Sequence, residues 1–293
     1  MENLLFNAFK GFFSNLDKTN KDFFIINSKI IYYNNSYNID EQRFKNEIYY
    51  YKFYFEEKFK SLDLNSFFPI YFCVRELDES KILIKDLYDM YVKEIGLNYT
   101  YSYLIYLYSY NYIFKEIIKN KDLDKKEYLK SLLEYVKNLK NEEDKKENQI
   151  SFEKAKIKFI NDLIKVDFNM YNGEDVFFIG LKNFKEEKAN CNISKALLAT
   201  LNQYEIKDIS YRDSNDEFFI NFYKYFYKIR IKKINPTKID TKIDIKKIKN
   251  SKINDEFVDS ILNKVLILDI KKENKLNVYL KAKTGYYKFR FKI

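Results

Sequence analysis

The sequence predicts an α+β protein with a helix-rich N-terminal part, residues 1–165, and a β-rich C-terminal part, residues 166–293. Apolar residues recur at helical spacing through much of the first part, whereas from Val166 onward they alternate with polar residues, as in half-buried strands. The second part also repeats its own sequence, and such a repeat is typical of a duplicated structural unit.

The N-terminus predicts a helix followed by a hairpin. Apolar residues between positions 2 and 16 recur at helical spacing. Asn27-Ser28 then predicts a turn between two strands, Asp22–Asn27 and Lys29–Tyr33.

A second helix and a third strand are predicted before residue 80. Asp40 is a suitable N-cap for a helix whose apolar face runs to Phe59, although Tyr49–Phe55 within it also alternates as a strand would. Phe67–Val74 is a short apolar run that contains Pro69, which predicts a strand at the edge of a sheet.

A block of helices is predicted between residues 81 and 165. Four helices are predicted here: Lys81–Ile95 ending at Gly96, Ser102–Asn120, a helix that Asp124 and Glu127 begin as a capping box, and a helix that begins at Ser151. The charged string Asn141–Gln149 contains almost no apolar residue, so it predicts a solvated linker before the last helix.

Segments of the C-terminal part match one another in order and spacing. The matches pair Leu201–Ile209 with Leu262–Ile270 at five positions, Tyr227–Lys232 with Tyr287–Lys292, and more faintly Asp175–Ile179 with Asp216–Ile220. We interpret them as a duplication of one structural unit.

Each copy is predicted to form a βαβββ unit. The first has strands at 175–184, 204–211, 217–226 and 227–234 and a helix at 193–203; the second has strands at 238–248, 265–271, 275–282 and 286–292 and a helix at 254–264. This order of elements resembles that of the DNA sliding clamps, the processivity factors built from paired βαβββ units. The resemblance covers the C-terminal part and rests on topology; it implies a non-enzymatic protein associated with DNA. A ferredoxin-like core, βαββαβ, accounts for the same strands as an alternative.

Most of the net charge of +10 lies in one segment, Lys228–Lys252, which contains ten basic residues against two acidic ones. Each Lys or Arg that neutralises a phosphate releases counterions, so basic ladders on strands suit a nucleic-acid backbone. The alternative is that these residues keep an exposed sheet soluble. The candidate nucleic-acid-binding residues are Lys228, Arg230, Lys232, Lys233, Lys242, Lys246, Lys247, Lys288, Arg290 and Lys292.

Composition excludes several classes of enzyme. The chain has no His, which excludes Ser-His-Asp and Cys-His nucleophiles and zinc sites that need imidazole, and its five Gly form no phosphate-binding loop. A metal-dependent nuclease needs no His, and Asp259 with Asp269-Ile270-Lys271 has the order of carboxylates and lysine that such a site uses. Asp259, Asp269 and Lys271 are therefore the candidate catalytic residues, although such spacings also arise by chance in a chain rich in Lys and Asp.

The sequence predicts a cytoplasmic protein with no membrane partner. Cys73 and Cys191 are far apart and are expected to be reduced thiols. Residues 1–4 do not begin a signal peptide, and the uncharged stretch Ile95–Phe114 contains too many hydroxyls and amides to suit a membrane span.

These observations favour a nucleic-acid-associated binding protein over an enzyme, with no cofactor and no metal site. Abundant Lys, Asn, Ile, Tyr and Phe is typical of an AT-rich genome, and we expect a clamp-like processivity or scaffold factor from a phage, virus or other mobile element of an AT-rich host. The alternatives are a structural or interaction subunit, in a larger assembly or a homo-oligomer, whose Tyr and Phe supply contact surface, and the Mg²⁺-dependent nuclease.

Overall fold

The computed structural model describes residues 2–55, 62–120, 122, 124–141, 145–203, 216–233, 243–259, 262–282 and 285–292. The chain divides into two compact units, Met1–Ile234 and Asn235–Ile293. The predicted boundary after residue 165 falls inside a helix of the first unit.

The first unit is built mainly of helices. Those in the described residues are α1 (Glu2–Ser14), α2 (Lys18–Ile30), α3 (Glu41–Phe55), α4 (Phe68–Cys73), α5 (Leu77–Ile95), α6 (Tyr101–Lys119), α7 (Lys125–Lys137), α8 (Lys146–Asp167), α9 (Val176–Lys185), α10 (Asn192–Thr200) and α11 (Asp216–Arg230), with a 3-10 turn at Leu64–Phe67. A short antiparallel hairpin, β1 (Ile31–Asn34) and β2 (Ser36–Ile39), separates α2 from α3.

Aromatic side chains fill the core of the first unit. The ring of Phe12 on α1 stacks on that of Phe68 on α4 with centroids 4.0 Å apart, and Phe9 meets Phe226 on α11 at 5.5 Å. Such pairs contribute about 0.5–1.5 kcal/mol each beyond the area that they bury. The tyrosine-rich α6 belongs to the same core, where the buried Tyr110 hydroxyl donates to Asn65 Oδ1 at 2.6 Å.

Several predicted helices of the first unit are confirmed. The helix predicted after Asp40 is α3, so the alternative strand at Tyr49–Phe55 does not form. The helix predicted to end at Gly96 is α5, and Gly96 adopts the left-handed conformation (φ 77°) that allows a glycine to end a helix. The last helix of the block, α8, begins at Lys146, five residues before Ser151, so the predicted linker is too long.

The hairpin predicted at Asp22–Asn27 and Lys29–Tyr33 is wrong, because these residues mostly belong to α2. The Asp17 carboxylate begins the helix by accepting a hydrogen bond from a backbone N–H of its first turn. Asn27, which the pattern placed in a turn, is buried within the helix and accepts a hydrogen bond from the Tyr91 hydroxyl at 2.6 Å.

The edge strand predicted at Phe67–Val74 is also wrong, because most of it is α4. Pro69 lies in the first turn of this helix, where its missing N–H removes no helical hydrogen bond. The six residues of α4 are all buried, so their uniform apolar character does not distinguish a buried helix from a buried strand.

The first predicted βαβββ copy does not form in the described residues. The strand predicted at 175–184 is α9, and those at 217–226 and 227–234 are replaced by α11. Buried Tyr223, Phe226 and Ile229 lie on one face of α11, a helical spacing that the alternating lysines conceal. The helix at 193–203 is confirmed as α10, and the strand predicted at 204–211 lies outside the described residues.

The second unit contains a four-stranded antiparallel sheet. Its elements are α12 (Ile245–Asn250), β3 (Glu256–Asp259), β4 (Asn263–Lys272), β5 (Leu276–Ala282) and β6 (Gly285–Phe291), with the strands in the order β3-β4-β5-β6. The strands predicted at 265–271, 275–282 and 286–292 are confirmed, as is the α+β class.

Two predictions for the second unit are wrong. Of the helix predicted at 254–264, the described residues form a turn at Asn254 (φ 69°), then β3 and the start of β4, and residues 260–261 lie outside the described residues. Of the strand predicted at 238–248, residues 245–248 are helical in α12 and residues 238–242 lie outside the described residues.

Across the described ranges, no helix combines the length and the apolar character needed to cross a membrane.

Candidate nucleic-acid interface

The sheet of the second unit has two faces of opposite character. Side chains alternate along each strand, and the register pairs Val278 with Phe289, Leu280 with Tyr287, and Tyr279 with Lys288. The first two pairs point to one face and the third points to the other. We call these the core face and the outer face.

The core face is apolar and is covered by α12. Buried Ile248 of α12 clusters with buried residues of two strands: Val265 and Ile267 of β4 and Val278, Leu280 and Ala282 of β5. Half-buried Phe289 and Phe291 of β6 pack against the same cluster. This packing fixes the sheet, so the outer-face side chains are held on a rigid support.

The outer face carries a row of basic side chains on neighbouring strands. The exposed members are Lys264 and Lys271 on β4, Lys281 on β5, and Lys288 and Arg290 on β6, and exposed Lys292 follows the end of β6. The β6 residues alternate with half-buried Tyr287, Phe289 and Phe291, as the sequence predicted for this strand.

Two of these cations lie beside carboxylates. Lys264 Nζ is 2.9 Å from Glu256 Oε2, and Lys271 Nζ is 3.7 Å from Asp269 Oδ2. In the part of the chain that the structure describes, no carboxylate lies within 4 Å of the charged groups of Lys281, Lys288, Arg290 or Lys292. The positive charge that is not neutralised therefore lies toward β5 and β6.

Two tyrosines lie among these cations. Tyr279 on β5 is flanked by Lys288 Nζ, 5.1 Å from its ring centroid, and by Lys271 Nζ at 5.8 Å. Tyr286 on β6 is 69% exposed, and Lys281 Nζ lies 5.7 Å from its ring centroid. The outer face thus combines aromatic rings with positive charge, which are the two components of surfaces that bind single-stranded nucleic acid.

The second unit holds most of the chain's net charge. Residues 235–293 contain 15 Lys and Arg against 7 Asp and Glu, a net charge of +8, whereas residues 1–234 contain 38 against 36. A positive field of this kind raises the local concentration of polyanions near the unit.

The four predicted binding residues at the end of the first unit do not form a strand ladder. Lys228 and Arg230 belong to α11, where two residues of separation place them on different sides, and Lys232 and Lys233 follow the helix. Lys232 adopts the left-handed conformation (φ 60°), and its Nζ lies 4.7 Å from the ring centroid of Tyr33.

Arg230 is a packing residue of the first unit. Its guanidinium donates to the backbone carbonyl of Phe72 and lies 5.7 Å from the ring centroid of the same residue. Burial lowers the pKa of this guanidinium below its ordinary value. The group is thus committed to the C-terminal end of α4, and it is not presented to a ligand.

The remaining predicted binding residues divide between two sides of the second unit. Lys246 and Lys247 are exposed on α12, which lies on the core face, so they lie on the opposite side of the sheet from Lys288 and Arg290. Lys242 lies outside the described residues.

The structure does not bring together the candidate nuclease residues. Asp259 is 4% exposed and structural: Oδ1 accepts a hydrogen bond from Leu262 N and Oδ2 accepts one from Asp244 N, both at 2.9 Å. Asp259 pairs with Asn263 across β3 and β4, so Asp269 lies six residues further along β4, about 20 Å away. Asp269 and Lys271 are neighbours on the outer face. In the described ranges, no group of three or more Asp, Glu or Cys residues is placed to hold a metal ion.

Sequence reasoning missed Lys264, Lys281, Tyr279 and Tyr286. The signal that identifies Lys281 and Tyr279 is their alternation with Val278, Leu280 and Ala282 on β5, a strand that the sequence predicted correctly. The side of the sheet that each residue occupies requires the register, which the sequence alone does not supply.

Comparison of the chain with protein-family models, curated proteins and solved structures gave no match.

Proposed function

We propose that this protein binds nucleic acid through the outer face of its C-terminal sheet and performs no chemistry on it. The observation that carries this proposal is the group of four cations, Lys281, Lys288, Arg290 and Lys292, that have no carboxylate partner among the described residues.

The arrangement suits a phosphate backbone. Lys288 and Arg290 are two residues apart on β6, so their side chains emerge about 7 Å apart along the strand. Lys281 points to the same face from the neighbouring strand, opposite Tyr286. A negatively charged chain can therefore contact several cations at once, and each contact releases counterions.

The alternatives receive less support. The separation of Asp259 from Asp269 removes the second carboxylate from the nuclease candidate. A contact surface made of Tyr and Phe is disfavoured because a large share of these side chains form the core of the first unit. Because the first βαβββ copy does not form among the described residues, the proposal uses only the sheet of the second unit and no clamp-like ring.

The test is a titration of a fluorescently labelled oligonucleotide with the full chain at several salt concentrations, with and without Mg²⁺. Four phosphate contacts on a single strand give a slope of log K against log salt of about −2.8. We expect a slope of this size and no cleavage with Mg²⁺. The absence of binding at low salt, or binding that does not depend on salt, would contradict the proposal, and cleavage that depends on Mg²⁺ would favour the nuclease.

A further inference from the structure

Resting on the function proposed above, we infer that the ligand of the outer face is a single strand whose bases stack on Tyr286 and Tyr279. The cations hold the backbone, and the two rings hold the bases. The inference follows from the exposure of Tyr286, the spacing of the two rings and the position of the cations around them.

Tyr286 presents its ring to solvent. It is 69% exposed and is the second residue of the edge strand β6. The side chain of the next residue, Tyr287, points to the core face. Among the described residues, no other aromatic ring stacks on the exposed Tyr286 or on the half-buried Tyr279, so neither ring is occupied by an aromatic side chain of the protein.

The two tyrosines are diagonal neighbours on one face. Tyr279 is opposite Lys288, and Tyr286 is two residues before Lys288 on the same strand. Diagonal positions of this kind are about 7–8 Å apart. Bases in a helical strand rise by only about 3.4 Å, so two bases that occupy both rings belong to a strand drawn out of the helical stack.

The cations lie where the phosphates of such a strand pass. Lys281 lies beside Tyr286, and Lys288 and Lys271 lie on either side of Tyr279. Arg290 continues the row along β6, where its Nε donates to Asn277 Oδ1 at 3.3 Å. Each ring therefore has a positive charge next to it, and a base on the ring has its phosphate near a cation.

A duplex does not make use of this arrangement. Its bases are stacked on one another and paired, so it can offer phosphates to the lysines but no base face to the rings. Duplex binding would therefore depend on charge alone, whereas single-strand binding gains stacking on each ring, which changes affinity by about 5- to 100-fold per base.

The test compares three probes of equal length on the full chain: a single-stranded 15-mer, its duplex, and a 15-mer that lacks bases. We expect the single strand to bind at least about tenfold more tightly than the other two. Tyr286→Ala should weaken single-strand binding by about 5- to 100-fold without changing the salt slope, because no phosphate contact is lost. Tyr286→Phe, which keeps the ring, should bind as the unchanged protein does.

Tyr49→Ala is the matched control, since Tyr49 is 66% exposed on α3 in the first unit. It should leave the affinity for all three probes unchanged. Equal affinity for the three probes together with no effect of Tyr286→Ala would overturn the inference and leave the proposed function standing. The absence of binding to every probe would overturn both. Circular dichroism and a melting curve of each variant establish that it is folded.

Discussion

At the scale of single residues, Lys115 on α6 has a pKa that burial in the first unit lowers. Its ammonium group donates to the backbone carbonyl of Val74 and to that of Arg75 at 3.1 Å. Desolvation lowers its pKa from 10.5 to about 7, and the positive charge of Arg230 adds to the effect, while Glu76 and Glu79 oppose it. These groups surround the end of α4, where carbonyl oxygens lack helical partners.

The lowered pKa makes stability depend on pH with a definite sign. Between pH 7 and pH 10 the unfolded chain keeps the proton of Lys115 more often than the folded chain does. The contribution of Lys115 to the free energy of unfolding therefore rises with pH in this range and is smallest below pH 7.

Lys115→Met should remove this contribution. We expect the free energy of unfolding of the unchanged protein, minus that of the variant, to increase between pH 7 and pH 9 by up to about 1.4 kcal/mol per pH unit. Cys73 and Tyr37, whose pKa values are raised by burial, are present in both proteins and cancel in the difference to first order. Urea denaturation at three pH values measures it; a difference that stays constant would show that Lys115 remains protonated.

At the scale of elements, α1 and α10 pack closely through small residues. A Cβ atom added at Gly11 would lie 2.7 Å from Ala199 Cβ and 3.1 Å from the carbonyl oxygen of Ala196. Neither atom belongs to a flexible side chain, so the two helices would have to separate.

Gly11→Ala tests this contact because two effects of opposite sign compete. Alanine raises helix propensity by about 1 kcal/mol relative to glycine, and overpacking costs about 1–3 kcal/mol. We expect a net loss of stability, measured as a lower midpoint of urea denaturation. A gain of about 1 kcal/mol, which an uncrowded helix position would show, would contradict the close packing of α1 and α10.

The segments Tyr227–Lys232 and Tyr287–Lys292 show why the sequence predicts helices and strands only in part. Both alternate aromatic or aliphatic residues with Lys or Arg, yet the first belongs largely to the end of α11 and the second to β6. In α11, Phe226 and Ile229 are buried three residues apart, which requires a helix; in β6, Tyr287, Phe289 and Phe291 pack on one sheet face, which requires a strand. A run of six residues contains both patterns, so the contacts of the folded chain decide between them.

The residues of the outer face could likewise be predicted only in part from the sequence. The alternation of Lys288 and Arg290 with apolar residues sufficed to predict their exposure, because the strand itself was predicted correctly. Arg230 has the same neighbours in sequence but serves the packing of α4, since its element is a helix. The composition shows that the C-terminal part is positively charged. Only the register of the strands shows which basic residues lie on the outer face and which lie on α12, on the other side of the sheet.

At the scale of the whole molecule, the net charge is divided unequally between the two units. The first unit is nearly neutral and is held by an aromatic core, whereas the sequence of the second unit carries a net charge of +8. The proposed nucleic-acid binding therefore places recognition in the second unit, and substitutions of its charged residues leave the core residues of the first unit unchanged.

The most direct test of the outer face is the salt slope of single-strand binding in two variants of equal charge change, Lys288→Gln with Arg290→Gln and, as control, Lys154→Gln with Lys158→Gln. Lys154 and Lys158 are exposed on α8, a helix that also presents several lysines. Loss of two phosphate contacts should reduce the slope by about 1.4 in the first variant, whereas the control should keep the slope of the unchanged protein. An equal reduction in both variants, or a reduction in the control alone, would contradict the assignment of nucleic-acid binding to the outer face.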